Sequence, residues 1–366
     1  MRNHQQTGEP MTPLILLGAG KIGETITHLL QESGDYQLTV ADQDPARLAP
    51  IAALGVATRH ADFNTAPDLA GLIRGNEMVI SACPYYLTPV IAQAAVSAGA
   101  HYFDLTEDLA SMRRVQALAA DAGTALVPQC GLAPGFISIL AHAMTRKFDH
   151  LRDVQMRVGA LPVYPTNALK YNLTWSTDGL INEYCNPCEA IIDGSRRETL
   201  ALEEIEAFSL DGVAYEAFNT SGGLGTLCDT LSGKVENLNY KTVRYPGHRD
   251  LVKMLIRDLR LGQRREVLKD VLEASVPMTR QDVVLVFVTV SGMQDGRLTQ
   301  ESFAKKIYST TLGESVYSAI QVTTAAGVCA MVDLVRESVL PRRGFVRQED
   351  ADLTRFLANR FGRHYA

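Results

Sequence analysis

The chain has 366 residues, 46% hydrophobic and 21% charged, with a formal net charge of −6, and its length suits about two globular domains. It carries no Lys/Arg-rich block, which argues against a nucleic-acid surface, and no apolar run approaching the ~20 residues of a bilayer span. The first ten residues, MRNHQQTGEP, read as a loose polar tail without an apolar signal core, so the expectation is a cytoplasmic protein with no membrane or nucleic-acid partner.

In the first third, strand and helix patterns alternate. Strands are expected at 13–18, 37–42, 57–62, 77–82, 101–106 and 125–129, and helices at 21–33, 45–53, 65–74, 88–98 and 109–122. Runs such as LILL and MVIS are apolar throughout, as in strands buried on both faces of a parallel sheet. The fold class is therefore α/β: a Rossmann-type doubly wound parallel sheet. The middle changes character. Longer strands are expected at 151–161 and 281–291, the second rich in β-branched residues. A partner strand at 302–311 follows the turn Gln294-Asp295-Gly296, and helices are expected at 178–184 and 249–260. This reads as an α+β substrate and dimerisation domain with a mixed sheet. The apolar stretch 316–339 reads as one long helix that packs back on the first domain and ends before Pro341. The expected division is 11–135, 136–315 and 316–366.

Gly18, Ala19, Gly20, Lys21, Ile22 and Gly23 fit G-x-G-x-x-G. The pattern gains meaning from its context: a strand before, a helix after, and an acid, Asp42, closing the next strand. The first glycine permits the turn, the second lets backbone approach a pyrophosphate, and the third lets helix and strand pack closely. The helix N-terminus offers free N–H groups to the phosphates. Asp42 suits the ribose hydroxyls and would repel a 2′-phosphate, so NAD is the expected cofactor, although Arg47 lies close in sequence. Asp62 and Phe63 after the third strand, Ala82, Cys83 and Pro84 after the fourth, and Gly131 and Leu132 after the sixth complete the expected cofactor contacts. The run Ser221–Gly225 lacks such a context and reads as a close-packed loop.

Ligands on a parallel sheet sit beyond the carboxyl ends of its strands. Tyr85, Asp104, Glu107 and Asp108 fall there. Tyr85 offers a phenol for hydrogen bonding or proton transfer, and Asp104 and Glu107 suit a substrate ammonium or a general base. Glu107 and Asp108 equally suit the start of a helix. Arg244 and His248, in RYPGH, are candidates for substrate contact or members of an exposed Pro-Gly turn. The six cysteines form no dense framework and are expected reduced. Cys185 and Cys188 have C-x-x-C spacing, but there is no second pair and no thioredoxin-like unit around them. No metal site is expected.

Several segments together resemble the saccharopine dehydrogenase superfamily: LGAGKIG, SACPYYLTPVI, QCGLAPGFISILAHAM, RVGALP, YNLTWSTDGLINEYCNP, EAFNTSGGLGTL and YKTVRYPGH. The last three resemble the lysine 6-dehydrogenase branch especially. The resemblance implies a homodimer and NAD-dependent oxidative deamination of the ε-amine of L-lysine. The product would be 2-aminoadipate 6-semialdehyde, which cyclises to a piperideine carboxylate. Carried over by motif, Tyr85 matches the tyrosine of the P-Y segment. Gly131–Gly135 matches the turn beside the nicotinamide, and Tyr171, Trp175 and Ser176 match a segment facing the cleft. Saccharopine reductases typically read S-W-S-x-R-G there, whereas this chain has Thr174-Trp-Ser-Thr-Asp178-Gly179. G-L-D-P-G is likewise G-L-A-P-G here. An aspartate in place of arginine repels a carboxylate and suits an ammonium, although Asp178 also stands where a helix cap belongs. The expected chemistry is loss of a proton from the amine, assisted by Asp104 or Tyr85, hydride transfer, and hydrolysis of the imine. The alternatives are a saccharopine reductase or other NADP-dependent amino-acid or opine-type dehydrogenase, and a non-catalytic nucleotide sensor.

Overall fold

The computed structural model describes residues 10–366, so the expected N-terminal tail lies, but for Pro10, outside the described residues. Strands β1 (Thr12–Leu17), β2 (Tyr36–Asp42), β3 (Ala57–His60), β4 (Met78–Ser81), β5 (His101–Asp104) and β6 (Ala125–Val127) run parallel in the order β3-β2-β1-β4-β5-β6. Helices α1 (Lys21–Ser33), α2 (Pro45–Ala53), α3 (Ala66–Ile73), α4 (Thr88–Ala98) and α5 (Leu109–Ala119) connect them. Period-two alternation gives each strand two buried faces. Leu14 and Leu16 join one core with Val40 and Ile80; Ile15 and Leu17 join another with Val79 and Ile91. The order reverses between β1 and β4, which opens a crevice at their carboxyl ends.

Helix α6 (Phe136–Thr145) leads into the second sheet. Its strands are β7 (His150–Pro162), β8 (Cys188–Ile192), β9 (Ser195–Thr199), β10 (Glu206–Leu210), β11 (Val213–Asn219), β12 (Val235–Arg244), β13 (Asp282–Gln294) and β14 (Arg297–Tyr308). The order is β10-β11-β12-β7-β13-β14, with β8 and β9 as a hairpin off β12. The sheet is mixed: β12 and β7 run parallel, and β7, β13 and β14 run antiparallel. Between β13 and β14, Asp295 and Gly296 both take positive φ, 51° and 73°, as tight hairpin turns of this hand demand.

Helices α7 (Thr177–Cys185), α8 (Leu227–Thr230), α9 (His248–Lys253) and α10 (Arg265–Ser275) flank this sheet. A small hairpin, β15 (Thr310–Leu312) and β16 (Ser315–Tyr317), precedes α11 (Ala319–Arg336). The chain closes with β17 (Gly344–Phe345), parallel to β6, and α12 (Leu353–Ala358). Helix α11 packs on α1. Tyr36, Asn359 and Arg360 all hydrogen-bond the buried Asp333 carboxylate. By length and hydropathy α11 would pass for a membrane span, but 83% of it is buried against the rest of the protein.

Several boundaries differ from expectation. The helix expected at 249–260 is α-helical only through α9 and widens into a π-turn at Met254–Asp258. The long helix starts at Ala319, not 316, because Ser318 and Gln321 form a capping box there. The partner strand of β13 begins at Arg297, directly after the turn, and stops at Tyr308. The four strands between Cys188 and Asn219, together with β12 and the two-residue β17, were not expected from the pattern.

Candidate active site

The three loop glycines do different things. A Cβ on Gly18, whose φ is +103°, would lie 2.7 Å from the Ala82 carbonyl oxygen; one on Gly23 would lie 1.9 Å from the Gly18 carbonyl oxygen. Both therefore serve close backbone packing. A Cβ on Gly20 would meet nothing within 4 Å. Gly20 is the N-cap of α1 and makes no side-chain cap bond, so the helix start faces an open cradle at the crevice. Asp42 is buried; its Oδ2 accepts from Ala19 N–H at 2.7 Å and its Oδ1 from Asp44 N–H at 2.8 Å. It braces the glycine loop and keeps lone pairs for a ribose hydroxyl. Burial holds the Lys21 ammonium below its usual range; Arg47 pushes the same way and Glu273 opposes. Asp62 is exposed in a turn with Asn64 after β3, and Phe63 is a core residue between sheet and helices.

Beyond the cradle a cleft of about 990 Å³, open solvent included, runs between the two domains. Ile22, Ala82, Cys83, Pro84, Gly131 and Leu132 line its first-domain side, with Tyr85, Leu105 and Glu107. Alternate residues of two strands make the opposite wall: Val158 and Ala160 of β7, and Tyr240, Thr242 and Arg244 of β12. Trp175 and Ser176 enter from the turn before α7, Glu183 from α7 itself, and Ile320 and Thr324 from α11.

Three charged groups define the chemistry. Arg244 is buried, donates from Nε to Tyr184 Oη at 2.9 Å, and stands 4.9 Å from the Tyr171 ring centroid. Glu107 has a buried Oε1 with no hydrogen-bond partner. Burial pushes its carboxyl up to about 7. Glu183 is pushed up to about 8, by burial first, with Glu107 adding and Arg244 opposing. The Ser221–Gly225 loop does pack closely, and it locks this corner. A Cβ on Gly222 would lie 2.4 Å from the Glu107 carbonyl oxygen, and one on Gly223 would lie 2.2 Å from the Tyr240 ring.

Four expected site residues sit elsewhere. Asp104 is fully buried off the cleft; its Oδ1 accepts from Thr106 and Gln129 N–H groups, and burial pushes it up to about 6. It ties the β5 and β6 loops together and does not face substrate. Asp178 pairs with Lys269 at 2.8 Å in the first turn of α7, outside the cleft. The acid in place of the reductase arginine is therefore spent on a helix-to-helix bridge. Tyr171 and His248 form a layer behind Arg244. Asp108 caps α5 through Ser111 N–H, and Ser176 caps α7 through Gly179 N–H while still lining the cleft. Glu183 was missed, although it lies seven residues after Ser176, on the same helix face.

A doubly wound sheet with an open glycine cradle at its crevice, facing a charged cleft closed by a second domain, defines a two-domain pyridine-nucleotide enzyme. Sequence comparison gives the family. Residues 14–127 match the saccharopine dehydrogenase NADP binding domain and residues 131–363 the saccharopine dehydrogenase C-terminal domain. The chain belongs to the saccharopine dehydrogenase family of NAD(P)-dependent oxidoreductases. It is similar to the mitochondrial alpha-aminoadipic semialdehyde synthase of Rattus norvegicus, at 22% identity over 50% of this chain and 20% of that one. It is also similar to the saccharopine dehydrogenase [NADP(+), L-glutamate-forming] of Pyricularia oryzae, at 23% identity over 66% of this chain and 56% of that one. The match thus spans a fifth of the first relative and just over half of the second. Apo saccharopine dehydrogenase (L-Glu forming) from Saccharomyces cerevisiae shares the fold, with a TM-score of 0.77, 17% identity, and 95% and 97% of the two chains covered.

Proposed function

We propose that this chain catalyses NAD-dependent oxidative deamination of the ε-amine of L-lysine to 2-aminoadipate 6-semialdehyde, which cyclises to piperideine-6-carboxylate. The observation that carries the reading is the charge set of the cleft. Among the described lining residues there is one guanidinium, Arg244, and two carboxylates, Glu107 and Glu183. Lysine has one carboxylate and two ammonium groups, the mirror of that set. Buried charges must be paired; here Arg244 takes the carboxylate, and the two glutamates take the ammonium groups. The chemistry that a bound nicotinamide supplies is acceptance of a hydride. The protein's part is to remove a proton from the reacting amine, because an ammonium has no lone pair to expel hydride. Glu107 or Glu183, both held near neutrality by burial, suits that task better than Asp104, and Tyr85 stands at the same cleft. Trp175, Val158 and Ala160 supply apolar walls that limit water.

NAD is favoured by Asp42 at the end of β2, where a 2′-phosphate would meet its charge. Arg47 is exposed and tied to Asp44 at 3.5 Å. A homodimer and a cytoplasmic site of action belong to the same reading, and light scattering tests the first. A second reading has a specific ground: the Pyricularia oryzae relative and the Saccharomyces cerevisiae structure are both named saccharopine dehydrogenase. Nicotinamide reduction measured with L-lysine and with saccharopine, each with NAD and NADP, decides. Turnover of lysine with NAD supports the proposal, and turnover of saccharopine alone overturns it.

A further inference from the structure

Arg244 is held from behind by an ordered chain of hydrogen bonds. Its Nε–H donates to Tyr184 Oη at 2.9 Å. Tyr184 Oη lies 2.9 Å from His248 Nε2, and His248 Nδ1 lies 2.8 Å from the Leu169 carbonyl oxygen. The chemistry of each group fixes the direction. A carbonyl only accepts, so Nδ1 carries the hydrogen. Burial first, then the charge of Arg244, keeps the His248 ring neutral, with its pKa brought down to about 3. Nε2 therefore keeps its lone pair and accepts from the Tyr184 hydroxyl. The hydroxyl oxygen is left to accept from the guanidinium, which has no acceptor of its own.

The surroundings fix the same parts. His248 lies 5.3, 5.9 and 6.3 Å, centroid to centroid, from the rings of Tyr171, Tyr184 and Phe218. Arg244 Nη1 donates to the Val243 carbonyl at 2.8 Å. Nη2 has no partner among the described residues, and Arg244 lines the cleft. Nε and Nη1 are thus held by the protein, and Nη2 is left for a ligand.

We propose that His248 and Tyr184 are positioning residues: the one-way chain Leu169–His248–Tyr184 aims the Arg244 guanidinium at the carboxylate of an amino-acid substrate. This rests on the reading that Arg244 takes that carboxylate. It goes beyond it in making KM depend on two side chains that lie behind Arg244.

The test uses Y184F, H248F, the double variant and R244Q, with L-lysine and saccharopine as ligands, since both carry an α-carboxylate. Binding to the nucleotide-loaded protein is measured by calorimetry, and kcat and KM with whichever ligand turns over. Y184F and H248F are each expected to weaken amino-acid binding about tenfold, the scale of a lost hydrogen bond to a charged group. Because the two lie on one chain, the double variant should be no more than about twofold worse than the weaker single one. The dinucleotide Kd should not move. Additive losses, or equal losses in dinucleotide binding, would mean a merely structural role and overturn the proposal. R244Q separates the two levels. If it leaves amino-acid binding intact, the reading of Arg244 fails; if it weakens binding and Y184F and H248F do not, the positioning chain fails alone.

Discussion

Replacing Gly20 by Ala should stabilise the free protein and weaken its cofactor binding. Gly20 has φ −72° and ψ −171°, a backbone conformation open to any residue. A Cβ there meets no atom of the protein within 4 Å. With no strain in the folded state, alanine mainly reduces the freedom of the unfolded chain, a gain of about 0.4–1 kcal/mol. The same methyl stands where a pyrophosphate must approach the α1 N-terminus. Losing one charge-assisted hydrogen bond costs about 1.5–3 kcal/mol, or roughly 10- to 150-fold in Kd. The assay pairs thermal melting without nucleotide with fluorescence titration of NADH and NADPH. Gly23→Ala is the contrast. Its Cβ would fall 1.9 Å from one backbone atom of Gly18 and 2.9 Å from another, so it should melt markedly earlier. If Gly20→Ala leaves the Kd unchanged, the pyrophosphate does not lie on this loop. If it lowers the melting temperature, the cradle is not open.

Other consequences can be checked with the same protein. Glu107 and Glu183 are raised to about 7 and about 8, so they become anionic only above those values. On the proposed reading kcat/KM for the amine therefore climbs from pH 6 to 8 in two coupled steps, and Glu183→Gln should remove the upper one. A profile unchanged by that substitution would exclude Glu183 from the proton inventory. The same shifts make the free fold bind protons more tightly than the unfolded chain. Their stabilisation is complete below the ordinary glutamate range and is lost as pH rises through about 8, so unfolding midpoints should fall over that window and recover with a bound diamine. Asp178→Asn breaks a bridge whose partners are each about 30% exposed, costs under ~1 kcal/mol, and should leave KM alone; a large rise in KM would return Asp178 to the site. Asp282, fully buried, accepts from the Ala319 and Ile320 N–H groups that start α11. Its replacement by Ala should cost about 2–3 kcal/mol, read as a lower denaturant midpoint with an unchanged slope.

The parts legible in the sequence were those where one local rule governs. Buried parallel strands show as apolar runs, and the glycine loop shows because three backbone approaches exclude side chains at fixed spacing. The polar hairpins were not legible. Strand β9, SRRET, is almost wholly exposed and has no buried face to impose a period of two; β17 is two residues long. Site residues failed for another reason: position after a strand does not fix where a side chain turns. Asp104 ends β5 as a base should, yet two backbone N–H groups hold it off the cleft. Asp178 and Glu183 share one helix, and only the helix start, set by the Ser176 cap, puts the second acid inward and the first against Lys269.

That exchange of one acid for another changes the substrate argument without removing it. The expected exclusion of carboxylates rested on Asp178, which does not reach the cleft. The cleft is nonetheless poor in cations: Arg244 alone faces Glu107 and Glu183 among the described lining residues. A substrate with three carboxylates would have two of them without a guanidinium, in a site whose own carboxyls are already raised by burial. Each unpaired charge costs several kcal/mol, unless the cleft opens to water or the two glutamates stay protonated. Saccharopine brings the same two ammonium groups but two further carboxylates, which the ionised glutamates repel, so its binding should gain less than lysine's as pH rises from 6 to 8. Lysine requires them charged, and its binding should strengthen over the same range. The steepness of that pH dependence, measured by calorimetry on the nucleotide complex, separates the two substrates even where turnover is slow.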